Sequence, residues 1–74
     1  MYKELSQKYT TVIGDTSGRP KYIEIIDNKT KLVVCSYYPT LTNNVIFYCE
    51  VPMMDIGYIA DELVEFSNYY RSCK

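Results

Sequence analysis

Histidine and tryptophan are absent from this chain. The first absence removes the commonest general acid/base, the Ser-His and Cys-His nucleophile pairs and most zinc ligand sets. Cysteine is sparse: Cys35, Cys49 and Cys73 are odd in number and never spaced as Cys-x-x-Cys. Neither a disulfide framework nor a zinc site is indicated, and reduced thiols are expected. Basic charge is not in excess either, with 8 Lys and Arg against 9 Asp and Glu, a net charge of −1 and a pI near 5.2. Such a balance does not neutralise phosphates and argues against a duplex-DNA binder. No run approaches the roughly 20 apolar residues that cross a bilayer, and Met1-Tyr2-Lys3-Glu4-Leu5 lacks the apolar core of a signal peptide. The expectation is therefore a soluble cytoplasmic protein with no membrane partner.

What remains is a globular composition, 47% apolar and 23% charged over 74 residues, which is one small domain spanning residues 1–74 with room for a single core. The clearest pattern lies in Asp55–Arg71, where Ile56, Ile59, Ala60, Leu63, Phe66 and Tyr70 recur at helical spacing. Its other side carries Asp61, Glu62, Glu65 and Asn68, with Asp55 extending the acidic stripe. Pro52 in the first turn and Asp55 as N-cap both suit the start of this helix. Upstream, β-branched and aromatic residues mark strands over Tyr9–Gly14, Lys21–Asp27, Lys31–Tyr38 and Asn44–Val51, separated by Asp15–Pro20, by a tight Asp27-Asn28-Lys29-Thr30 turn and by a Pro39–Asn44 loop. Asp15–Pro20 brushes against a phosphate-loop pattern, but no Gly-Lys-Ser/Thr follows and Pro20 leads into a strand, so a hairpin loop is the reading. Tyr2, Leu5 and Tyr9 are compatible with a short N-terminal helical turn. The predicted fold is α+β: a four-stranded antiparallel β-meander with the C-terminal α-helix packed on one face.

Simple hairpins predict which residues share a face. Pairing Asp27 with Thr30 and Tyr38 with Val45 gathers Val12, Ile23, Ile25, Leu32, Val34, Phe47, Cys49 and Val51 beneath the helix. The opposite face then holds Tyr9, Ile13, Tyr22, Glu24, Ile26, Lys31, Val33, Cys35, Tyr37, Ile46, Tyr48 and Glu50. A solvated sheet face normally alternates to polar residues, and this one is aromatic and aliphatic instead. Tyrosine supplies 9 of the chain's 11 aromatic residues, a skew that fits a contact surface better than a core, where each hydroxyl needs a partner.

Three function classes follow. The favoured one is a small non-enzymatic protein-binding module, docking through Tyr22, Tyr37, Tyr48, Ile46 and Glu50 on the sheet, with Asp61, Glu62 and Glu65 meeting a basic, nucleic-acid-binding partner or serving only solubility. The same tyrosine face also offers itself to a second copy as a homodimer. In the alternative class the tyrosines stack single-stranded nucleic acid, although Glu24 and Glu50 outweigh Lys31 there. Catalysis comes last: Glu24 and Glu50, two strand spacings apart, lie on a flat face with no pocket to perturb them, and no catalytic, metal or cofactor-binding residue is assigned. A short, motif-free, tyrosine-rich and acidic chain resembles in type the accessory inhibitors encoded by phages and other mobile elements. That resemblance implies a modulator of another protein and attaches to no particular residue.

Overall fold

The computed structural model describes residues 3–42 and 44–72; Tyr2, Asn43 and Cys73 lie outside the described residues. Helix α1 (Lys3–Lys8) leads into strands β1 (Tyr9–Thr16), β2 (Arg19–Asp27), β3 (Val33–Tyr37) and β4 (Ile46–Phe47), followed by helix α2 (Met53–Ser72). The strands form one antiparallel sheet in the order β1-β2-β3-β4, an α+β meander with the long helix across one face. Among the described residues no helix is long and apolar enough to cross a membrane.

The first hairpin is tighter than Asp15–Pro20. Strand pairing continues to Thr16 and Arg19, and Ser17 and Gly18 turn the chain with φ of 56° and 79°. Positive φ at both central positions is the backbone whose twist matches that of the flanking strands. The second connection is longer than expected. Asp27 N donates to Leu32 O at 3.0 Å and Lys31 N to Asp27 O at 2.7 Å, with Lys31 at φ 63°. The Asp27 carboxylate accepts from Lys29 N at 2.7 Å, so the side chain organises its own loop.

These details decide which residues face the helix. A simple hairpin across Ser17-Gly18 places Val12 opposite Ile23, but Lys21 is an extra residue on β2 and Ile13 stands there instead. On the other side, closing Asp27 with Leu32 rather than Thr30 shifts β3 by two residues. Val34, an extra residue between the Ile26↔Val33 and Ile25↔Cys35 pairs, adds a third. An odd shift turns a strand over. The predicted sharing of faces is corrected accordingly: Tyr9, Ile13, Cys35 and Tyr37 lie on the helix side, Val12 lies on the other, and Leu32 is 66% exposed. Phe47 stays on the helix side and Ile46 on the other, because β4 pairs with β3 one residue off the predicted register and the two errors cancel. The two thiols exchange roles. Cys35 is buried, with its pKa pushed up to about 11 by burial, whereas Cys49 is exposed.

The core gathers Tyr9, Ile25, Val34, Cys35, Tyr58 and Ile59, with Leu5, Val51 and Leu63 against them. Ile23 and Phe66 are also almost fully buried. Leu5 commits α1 to the same side of the sheet as α2. Helix α2 begins directly after Pro52, whose carbonyl accepts from Asp55 N at 2.8 Å. Asp55 sits in the first turn rather than before it, where a carboxylate suits the helix dipole. Its side chain points inward: Tyr9 Oη donates to it at 2.5 Å and Lys8 Nζ at 2.8 Å. The buried stripe is therefore rotated from the predicted one. Ile59 and Phe66 are buried as expected, Asp55 and Tyr58 join them, and Ile56 and Ala60 are exposed.

The hydrogen bonds from Lys8 and Tyr9 hold the Asp55 carboxyl below its ordinary value of 3.8 against the opposing effect of burial. A carboxylate with a lowered folded pKa stabilises the fold above its unfolded value, and this stability is lost as pH falls through the folded pKa. Asp55→Asn should cost about 1.5–3 kcal/mol at neutral pH, the worth of hydrogen bonds to a charged group. Below pH 3.8 the deficit should shrink. Urea unfolding of both proteins at pH 7 and at low pH measures it, and a deficit independent of pH would show that the charge is not what Asp55 contributes.

Candidate functional site

The sheet face turned away from α2 is built from alternate residues of each strand. Strand β1 contributes Val12 and Gly14, β2 contributes Tyr22 and Glu24, and Ser36 and Ile46 come from β3 and β4. Tyr38 and Tyr48, each one residue past a strand, complete it. The Tyr22 and Tyr38 rings stack with centroids 4.8 Å apart and planes at 20°. Gly14 is required beneath them, since a Cβ there would run into the Tyr22 ring. Row by row the face reads Gly14, Tyr22 and Tyr38, then Val12, Glu24, Ser36 and Ile46.

Glu24, Ser36, Tyr38 and Tyr48 engage one another in pairs. Tyr38 Oη donates to Glu24 Oε2 at 2.7 Å, and Ser36 Oγ and Tyr48 Oη share a hydrogen bond at 2.9 Å. The hydrogen bond that Tyr38 donates to the Glu24 carboxylate holds the proton and pushes the phenol up to about 12, with burial and the neighbouring negative charge adding to it. No helix among the described residues lies over this face. Tyr48 is 58% and Ile46 43% exposed, while Tyr22 and Tyr38, propped against each other, are half-buried. Beside Tyr48 a cleft of about 610 Å³ opens, lined by Glu24, Asp27, Leu32, Val33, Val34 and Cys49 among others.

Of the residues assigned from the sequence, Tyr22, Tyr48 and Ile46 come together here with Glu24. Tyr37 does not. Its ring meets Phe66 edge-on at 6.1 Å on the helix side, because the odd shift of β3 turned it over. Tyr38 takes that place, although the predicted register put it beneath the helix. The signal was available in the Tyr37-Tyr38 doublet, since adjacent residues of a strand point to opposite faces. Glu50 is exposed beyond the end of β4, so the strand spacing between Glu24 and Glu50 does not hold. Asp61 and Glu65 are exposed on the far side of α2. Glu62 leaves the acidic stripe and turns to the sheet, where it accepts from Thr11 at 3.1 Å and Tyr58 at 2.8 Å. Asp55 leaves it as well, being buried.

Chemically, the face offers aromatic edges, aliphatic side chains and one carboxylate. Among the described residues no group of three or more Cys, Asp or Glu side chains is gathered as a metal site. Comparison with family models, with curated proteins and with solved structures finds no match for this chain.

Two substitutions probe how the face is built. Gly14→Ala should destabilise by about 1–3 kcal/mol through overpacking, and most of that loss should vanish in a Tyr22→Ala background; an undiminished cost in the double variant, read by urea unfolding, would place the strain elsewhere. Glu24→Gln removes the negative charge beside Tyr38 and should return its phenol from about 12 towards the ordinary value of 10.0. NMR titration of labelled tyrosine ring carbons reads this directly, and an unshifted Tyr38 would disconnect it from Glu24.

Proposed function

We propose that this protein is a small, cytosolic, non-enzymatic binding module that docks on another protein through the outer face of its sheet and modulates or blocks it, in the manner of phage and mobile-element accessory inhibitors. The observation that carries this reading is the uncovered face of Tyr22, Tyr38, Tyr48, Ile46 and Glu24. The hydroxyls of Tyr38 and Tyr48 already have partners within the protein. A docking protein therefore covers half-exposed aromatic and aliphatic surface without stranding polar groups, the condition under which burial yields net affinity.

The acidic residues have a separate part. Asp61 and Glu65 lie on α2 and the tyrosines lie on the opposite side of the sheet, so one flat partner surface does not touch both. The carboxylates act by steering a basic partner, which raises the association rate more than the affinity. Stacking of single-stranded bases is the weaker reading. Glu24 occupies the middle of the face and repels phosphates, and Tyr22 and Tyr38 are already stacked on each other.

Capture of a partner on immobilised protein, followed by measurement of binding rates, tests the assignment. Tyr48→Ala should weaken partner binding by roughly tenfold or more, the loss expected of an aromatic at the centre of an interface. Asp61→Lys with Glu65→Lys should slow association and flatten its salt dependence while leaving dissociation unchanged. Full binding by Tyr48→Ala would move the docking surface off the sheet. Affinity for an oligonucleotide that falls steeply with salt would transfer the face to the nucleic-acid reading.

A further inference from the structure

The meander leaves β4 as an edge whose only guard is its shortness, two residues from Ile46 to Phe47. Natural sheets blunt exposed edges with very short strands and also with charge, proline or a covering segment. Here Val45, Ile46, Phe47 and Tyr48 run without a charge or a proline, at 38%, 43%, 46% and 58% exposure. The opposite edge differs. Strand β1 carries Thr10, Asp15 and Thr16 and is twisted by the irregularity at Gly14/Asp15.

The backbone of β4 states which groups are open. Tyr48 N donates inward to Val34 O at 3.0 Å. Successive residues of an antiparallel strand direct their N–H and C=O to alternate sides, so those of Phe47 point outward, away from β3. We propose that β4 pairs with β4 of a second copy of this chain, antiparallel about a two-fold axis through Phe47, joining the two sheets into one.

The register is self-complementary, as a two-fold interface must be. Phe47 faces Phe47 of the second copy as a hydrogen-bonded pair, each N–H donating to the other's carbonyl. On the outer face Ile46 falls opposite Tyr48 of the second copy, and Tyr48 opposite its Ile46; aromatic with β-branched is a favoured cross-strand pair. The chain bends at Tyr48 and Cys49, so the pairing ends there, and it sets no charged residue against another across the axis. Next to Tyr48 and Cys49 the apolar surface continues into the cleft walled by Leu32, Val33 and Val34. Pairing one short edge covers less than the roughly 800 Å² per partner of a standard interface. The dimer is therefore reversible. It leaves Tyr22, Tyr38 and Glu24 of the outer face open and shares Ile46 and Tyr48 with the docking surface proposed above, so one particle carries two such faces side by side.

Sedimentation equilibrium and a crosslink test it. The wild-type mass should rise from 8.7 kDa towards twice that value between roughly 10 µM and about 1 mM protein, the range in which an interface of this size associates. Phe47→Lys should remain monomeric throughout with unchanged far-UV circular dichroism, because Phe47 is half-exposed and lies outside the buried core. Phe47→Cys in a Cys49→Ser background should form a disulfide-linked dimer under mild oxidation, since the Cα atoms of a hydrogen-bonded antiparallel pair lie about 5.5 Å apart, within disulfide reach. A Leu41→Cys control in the same background should not. A wild-type mass of 8.7 kDa at all concentrations, a Phe47→Lys protein that still dimerises, or equal crosslinking through residues 47 and 41 would each overturn the proposal.

Discussion

A single carboxylate sets how the two halves of this protein meet. Asp55 takes hydrogen bonds from Tyr9 and Lys8, groups 46 and 47 residues away along the chain. Both come from the junction where α1 becomes β1, so the first turn of α2 is fastened to the start of the sheet. With Asp55 turned inward, helical periodicity directs Ile59, Glu62 and Phe66 the same way. Glu62 is thereby delivered to Thr11 and Tyr58, and Phe66 to the edge of Tyr37. The helix rotation follows a polar contact rather than the richest apolar stripe. Ile56 and Ala60 remain outside because an inward Asp55 and an inward Ile56 require different rotations of the same helix.

A polar residue outranks an apolar one here because of what each alternative leaves behind. Turning Ile56 inward gains the burial of one aliphatic side chain, about 1.5–3 kcal/mol when complete. It also leaves the buried Tyr9 hydroxyl without its acceptor, at a cost of about 1–3 kcal/mol, and gives up a charge-assisted hydrogen bond. The two sides are of similar size, and retained contacts of Tyr58 with the Tyr9 ring and with Glu62 favour the observed rotation. No buried side-chain nitrogen or oxygen among the described residues lacks a partner. The observed rotation is the one that achieves this.

The sheet shows how much of a fold periodicity can reveal and where it stops. The elements and their order were legible, because β-branched runs between turn residues and a helical repeat after Pro52 are strong local signals. Ile23 and Ile25 were rightly placed under the helix. The faces of the neighbouring strands were not, since each depends on the parity of residues in a connection. One extra residue, Lys21 in β2, turns β1 over. Three on the other side, two in the Asp27–Leu32 loop and Val34 in the strand, turn β3 over. Local sequence does not announce a bulge. It does contain a hint in the loop, where Asp27 can bind its own backbone two residues on and so favours a wider turn than Asn28-Lys29 alone. Of the surface residues, Tyr22, Ile46 and Tyr48 were found and Tyr38 was missed. Glu62 was misread for the same reason as Ile56, since both follow from where Asp55 points.

The outer face gains its character from this same economy. A sheet covered on one side only must leave its other side acceptable to water, and here that is done without charge beyond Glu24. The hydroxyls of Tyr38 and Tyr48 bond Glu24 and Ser36, and Ser36 is buried although it faces away from the helix. Tyr22 leans on Gly14 and Tyr38. Tyr22 and Tyr38 are held by stacking on each other, one seated on Gly14 and the other bonded to Glu24, and Tyr48 is held by its bond with Ser36. Rigid aromatics lose little entropy when a partner covers them, and hydroxyls already bonded demand nothing of that partner. The device that keeps an uncovered sheet stable in isolation thus also lowers the cost of covering it.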